Sequence, residues 1–102
     1  MTEKVLSSKR KVKIRELTLD QIADLNDIPE ITFRDGAVAT IKNLNRAKLA
    51  WLRCGLGGGD FSDWEPNGAA PPDSVIKQLS QSEQDELVEV IKLEQELTKK
   101  KL

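Results

Sequence analysis

The chain has 102 residues, with 16 Lys plus Arg against 17 Asp plus Glu and a formal net charge of −1. That balance argues against a protein built mainly to hold nucleic acid or anionic lipid. Histidine is absent and Cys54 is the one cysteine, which excludes imidazole acid–base catalysis, Cys/His zinc sites and disulfide frameworks within one chain. A lone cysteine suits a reducing cytoplasm. The N-terminus lacks the apolar run of a signal peptide, and nothing approaches the ~20 apolar residues that span a bilayer. The expectation is a soluble intracellular protein without membrane contact.

Residues 1–16 are basic: Lys4, Lys9, Arg10, Lys11, Lys13 and Arg15 outnumber Glu3 and Glu16, a local +4. Residues 1–11 are expected to form a loose terminus. Lys11-Val12-Lys13-Ile14-Arg15 alternates as a strand does, or as an extended lead-in to a helix. Thr18 with Gln21 forms a capping box. Leu19, Ile22, Ala23 and Leu25 then recur at helical spacing until Pro29 stops the helix near Asp27.

Ile31 to Ile41 carries Asp35-Gly36 between β-branched runs, a hairpin signal. A helix from Val38 into the next segment competes and is the favoured reading. Asn43 is placed to cap a helix over Leu44–Cys54, with Gly55 as its stop. That helix is apolar nearly all round, as a central core helix is.

Residues 55–73 hold five of the six glycines and three of the four prolines. Such punctuation predicts a flexible loop, and loops longer than ~12–15 residues are usually functional or disordered. Within it, Phe61 and Trp64 are half of the four aromatics. They read as an anchor that orders on a partner, or as a flap tucked over the core. Gly57-Gly58-Gly59-Asp60 lacks the lysine of a phosphate loop and the repetition of a calcium-binding turn, so linker is the better reading. Asp20 to Ile28 resembles the start of a helix-turn-helix, but Pro29, Glu30, Asp35 and Gly36 spoil a recognition helix.

A short helix is expected around Val75, Ile76 and Leu79. Ser80 with Glu83 forms a second capping box, opening a long helix over 83–99. On it Leu87, Val88 and Ile91 form one stripe, and Val90, Leu93 and Leu97 another. Together they span roughly 160°, wider than the ~100° that one packing face needs. The second stripe either completes the core or meets another copy or a partner helix. From Asp60 to Glu96 ten acids face Lys77 and Lys92, so the basic head and acidic tail can attract between copies or sit apart in solvent. Carboxylate pairs such as Asp60 with Asp63, or Glu83 with Glu86, have no imidazole or thiolate companion and give no catalytic set.

The expected fold is mainly α: one small helical domain over 1–102 with a long Gly/Pro-rich loop, and a short strand or hairpin in the N-terminal half. Val12-Lys13-Ile14-Arg15-Glu16-Leu17-Thr18-Leu19-Asp20-Gln21-Ile22 resembles the opening of tail assembly chaperones of long-tailed, siphovirus-type bacteriophages. Length, helical content and an acidic C-terminal half extend the likeness. Lys99-Lys100-Lys101 is compatible with a run of adenines on which ribosomes slip, and members of that family commonly make a longer product by a −1 frameshift. The resemblance implies a mainly α-helical, non-catalytic protein without cofactor or metal. It would self-associate into rings or spirals in the host cytoplasm, keep the tape-measure protein soluble while tail-tube protein polymerises, and leave before the virion matures. The candidate association residues are Phe61, Trp64, Val90, Leu93 and Leu97. A small DNA-binding regulator using the basic head, and a structural virion component, are the alternatives.

Overall fold

The computed structural model describes residues 1–99 and the backbone of Lys100. Among these residues the order is β1 (Thr2–Val5), β2 (Lys11–Ile14), α1 (Leu19–Asn26), β3 (Glu30–Arg34), β4 (Ala37–Lys42), α2 (Leu44–Gly55), β5 (Leu56–Gly59), α3 (Asp73–Ile76) and α4 (Gln81–Lys100). Helices hold 43% of the chain and strands 23%. The fold is therefore mixed α/β, with two antiparallel sheets, and the mainly α expectation is wrong.

The terminus expected to be loose over 1–11 is a strand and turn. β1 pairs antiparallel with β2, from Thr2 opposite Ile14 to Val5 opposite Lys11. The connection closes through Leu6 N–H donating to the Arg10 carbonyl (2.9 Å) and Lys9 N–H to that of Leu6 (2.9 Å). Leu6, Val12 and Ile14 are buried, so the alternation read over 11–15 is a strand with one face in the core. On the other side of β2 lies β5, giving the order β1-β2-β5.

β5 corrects the loop expected over 55–73. Only 60–72 is irregular; Leu-Gly-Gly-Gly is a paired strand, and 73–76 is helical. The glycines are required by close approach rather than by mobility. A Cβ on Gly55 would lie 2.5 Å from Ile91 Cγ2, and one on Gly59, at φ 137°, would press into the Lys11 carbonyl oxygen. Gly57 is the extra residue of a bulge, since Lys13 pairs with Gly58 and Ile14 with Leu56.

The helix favoured from Val38 is absent. β3 and β4 form a hairpin around Asp35 (φ 53°) and Gly36 (φ 78°), the paired positive φ angles of a type I′ turn. Thr32, Val38, Thr40 and Ile41 are β-branched and prefer the pleated backbone. Asn43 takes a left-handed conformation (φ 64°) and makes no side-chain cap bond; it turns the chain from β4 into α2 instead of capping.

Both predicted capping boxes form. Thr18 Oγ1 accepts from Gln21 N–H (3.1 Å) while Gln21 Oε1 accepts from Thr18 N–H (2.9 Å). Ser80 Oγ accepts from Glu83 N–H (3.1 Å) and Glu83 Oε1 from Ser80 N–H (3.0 Å). α4 accordingly starts at Gln81, ahead of the expected residue 83.

The core lies between the three-stranded sheet and the helices. Val12, Ile14 and Leu56 from the sheet meet Trp51 and Leu52 of α2, Val75 and Ile76 of α3, and Leu87 and Ile91 of α4. Gln95, also buried, accepts from Leu17 N–H and donates to the Arg15 carbonyl, both at 2.8 Å. It satisfies the backbone where β2 hands over to α1.

Candidate docking surfaces

All eleven residues of β3 and β4 are exposed, on both faces of the ribbon. The hairpin makes its extensive contacts within itself and stands off the body. The Cα radius of gyration is 14.7 Å, against about 13 Å for a compact chain of this length. A lone two-stranded hairpin is marginal in water unless something covers it.

Its two faces differ. Ile31 lies opposite Ile41 and Phe33 opposite Val38, because a bulge at Ala39 restores the register between Thr32 opposite Thr40 and the turn. Directly opposed residues share a face and alternate residues along a strand return to it. Ile31, Phe33, Val38 and Ile41 therefore form one apolar face, 52%, 65%, 54% and 46% exposed. Glu30, Thr32, Arg34, Thr40 and Lys42 occupy the other. Four large apolar side chains contiguous on one exposed face mark an interaction site more often than scattered ones do. The sequence places these residues in a candidate hairpin but not on an association surface; the Asp35-Gly36 turn between β-branched runs is the signal for them.

α4 presents a smaller apolar surface. Leu87, Val88 and Ile91 are buried, Val90 packs half-buried against the core, and Leu93 and Leu97 are 56% and 46% exposed. The second predicted stripe is thus divided, with Val90 in the body and the two leucines facing outward beside Glu89 and Glu96, also exposed. A groove of about 320 Å³ opens on another side of α4, lined by Leu19, Ile22, Trp51, Lys92 and Gln95 among others. The Lys92 ammonium sits 5.4 Å from the Trp51 ring centroid there, a cation–π contact.

Phe61 and Trp64 are partly buried against the core, the flap arrangement that the sequence left open. Their rings meet edge to face at 5.5 Å, and the Arg10 guanidinium lies 5.1 Å from the Phe61 centroid. The Gln78 side chain holds the segment by accepting from Ser62 N–H (2.9 Å) and donating to its carbonyl (2.8 Å).

The charged ends pair within the chain. Lys4 reaches Glu94 (3.4 Å), Arg10 reaches Glu83 (2.7 Å) and Lys99 reaches Glu16 (3.3 Å). Arg15 donates to the Gly68 (3.0 Å) and Ala69 (2.6 Å) carbonyls. The attraction of basic head to acidic tail is thus used in folding one copy. Lys11 and Lys13 remain on the sheet's outer side, around a groove of about 490 Å³ that Glu3 and Asp60 also line. The mixed signs give that groove no strong preference for an anion.

Three of the four groups in the carboxylate pairs, Asp60, Glu83 and Glu86, have structural partners. Asp60 Oδ2 accepts from Lys11 N–H (3.0 Å). Glu86 accepts from Ser7 N–H and Ser7 Oγ, and Glu83 from Ser8 Oγ and Arg10. These bonds fasten the β1–β2 turn to the start of α4. The Ser80 amide and then the Arg10 guanidinium hold the Glu83 carboxyl down at about 2, from an ordinary 4.5. Since the folded value is the lower one, the stabilisation is complete above about pH 4.5 and is lost as pH falls toward 2. Glu83→Gln is expected to flatten the acid limb of a stability-versus-pH curve between those values. A wild-type limb retained in full by the variant would place the acid sensitivity elsewhere. Among the described residues no group of three or more Cys, Asp or Glu is placed to hold a metal, and no helix is long and apolar enough to cross a membrane.

No protein-family model, no curated protein and no solved structure matches this chain.

Proposed function

We propose that the chain works by association rather than by chemistry, as a tail assembly chaperone of a long-tailed bacteriophage. It keeps the tape-measure protein soluble in the host cytoplasm during tail assembly and is absent from the finished virion. The observation that carries this reading is the uncovered apolar face of Ile31, Phe33, Val38 and Ile41 on a hairpin held away from the body. A holding protein must offer apolar surface to a partner that would otherwise aggregate, at roughly 25 cal/mol per Å² covered. The exposed Leu93 and Leu97 add a second such surface. The phrase Val12 to Ile22 supports the family, spanning β2, the Thr18 cap and the first half of α1. The mixed α/β fold departs from the mainly helical build which that likeness implied, so the phrase and the apolar surfaces bear the weight.

The test is co-expression with a tape-measure protein encoded in the same genome. The chain is expected to raise the soluble fraction of that protein severalfold, and Phe33→Asp with Ile41→Asp to abolish the gain. Both positions are exposed, so the variant keeps its core. A tape-measure protein equally insoluble with and without the chain, or equally rescued by the variant, would overturn the reading.

A further inference from the structure

The outer edge of β3 is built to pair with itself, and the geometry points to a two-fold dimer formed by that edge. The type I′ turn is closed by Arg34 opposite Ala37, which directs the backbone amides and carbonyls of Glu30, Thr32 and Arg34 toward β4. Those of Ile31 and Phe33 then point to the open side. β3 and β4 form a two-stranded sheet, so among the described residues nothing pairs with that side.

The strand reads Glu30-Ile31-Thr32-Phe33-Arg34. Laid antiparallel against its own copy about an axis at Thr32, it sets Glu30 opposite the partner's Arg34, Ile31 opposite the partner's Phe33, and Thr32 opposite its equivalent. Opposite charges, an aromatic against a β-branched side chain, and threonine against threonine are the pairs that favour an antiparallel ladder. The same register makes Ile31 and the partner's Phe33 a hydrogen-bonded pair, so the outward amides and carbonyls of both strands are satisfied together. Among the described residues neither Glu30 nor Arg34 has an ion-pair partner within the chain.

The β4 edge does not compete. It is bulged at Ala39 and carries only Lys42 as a charge, and bulges are among the devices that blunt an edge. β3 contains neither proline nor bulge. Pairing by β3 yields a four-stranded sheet β4-β3-β3-β4 with the apolar faces of both hairpins on one side. An isologous contact of this kind closes as a dimer, and it requires no tape-measure protein.

Sedimentation of the purified full-length chain, with circular dichroism to verify folding, decides the matter. Wild type is expected as a dimer. Glu30→Arg alone or Arg34→Glu alone sets like charges opposite each other twice per dimer and is expected to weaken it by roughly tenfold or more. The double reversal Glu30→Arg with Arg34→Glu restores the complementarity and is expected to return the dimer. A wild-type monomer at high micromolar concentration would overturn the proposal. So would single variants that dimerise normally, or a double variant no better than either. A dimer insensitive to both charges but broken by Phe33→Ser would place the contact on the apolar face instead. Because no partner protein is present, the outcome is independent of the co-expression result.

Discussion

Leu52→Ala is expected to lower the unfolding free energy by about 2–5 kcal/mol, the range for removing a fully buried leucine side chain from a packed core. Leu52 is wholly buried, on α2, the helix that touches α1, α4 and β5. A chain of 102 residues has roughly 5–15 kcal/mol to lose in total. The variant therefore forfeits a large share, and a shift of several degrees to tens of degrees in the thermal midpoint follows. Its neighbours are fixed by other elements, so the cavity has little room to collapse. A melting curve that coincides with wild type would show that α2 is not the centre of the core. Leu44→Ala is the control: that side chain is more than half exposed at the start of the same helix and its loss is expected to be small.

Two adjacent glycines should behave in opposite ways. Gly59→Ala places a Cβ against the Lys11 carbonyl oxygen and 2.8 Å from Val12 Cα, at a φ of 137°. Both obstacles are backbone of β2 and cannot move without breaking the pairing, so strain and overpacking together cost about 3 kcal/mol or more. Gly58→Ala meets only the Lys13 side chain, at 3.1 Å from Cδ, and that long flexible chain lies on the exposed side and can turn away. Its cost is expected below about 1 kcal/mol. Chemical denaturation of the two variants side by side reads the difference directly. Equal, mild effects would mean that the glycine run is a linker after all.

That contrast also explains where sequence reasoning went astray. Leu56-Gly57-Gly58-Gly59 has neither alternation nor β-branched residues, the signals by which strands are read. It is a strand because β2 lies beside it and because only glycine admits Met1, Arg15 and the Lys11 carbonyl so closely. All three neighbours are distant in sequence, so no local window contains the reason. The N-terminal residues differ: Thr2 to Val5 read as a charged tail without strand patterning, and pairing with the nearby β2 makes them an edge strand.

The hairpin differs in kind. Its signal is local, in Asp35-Gly36 and the β-branched residues on either side, and it prevails over a helix from Val38. What no reading of the sequence could reach was its isolation. Apolar residues at strand spacing normally announce a buried face, whereas Ile31, Phe33, Val38 and Ile41 are exposed. The surface with the strongest claim to function is thus a departure from the rule that predicts cores.

The sequence by itself determined the features whose causes are local. Both capping boxes formed as read, because a hydroxyl and a carboxylate or amide three residues on need only each other and the helix between them. The Leu87, Val88 and Ile91 stripe went to the core, and Pro29 lies beyond the end of α1. The tertiary structure alone decided the three-stranded sheet, the glycine strand, the pairing of the basic head with the acidic tail and the exposure of the hairpin. Each of these depends on which segments meet across 40 or more residues of chain, or on none meeting at all, as with the hairpin. Charge, propensity and periodicity act over a few residues, whereas a close approach is settled only when the whole chain has folded.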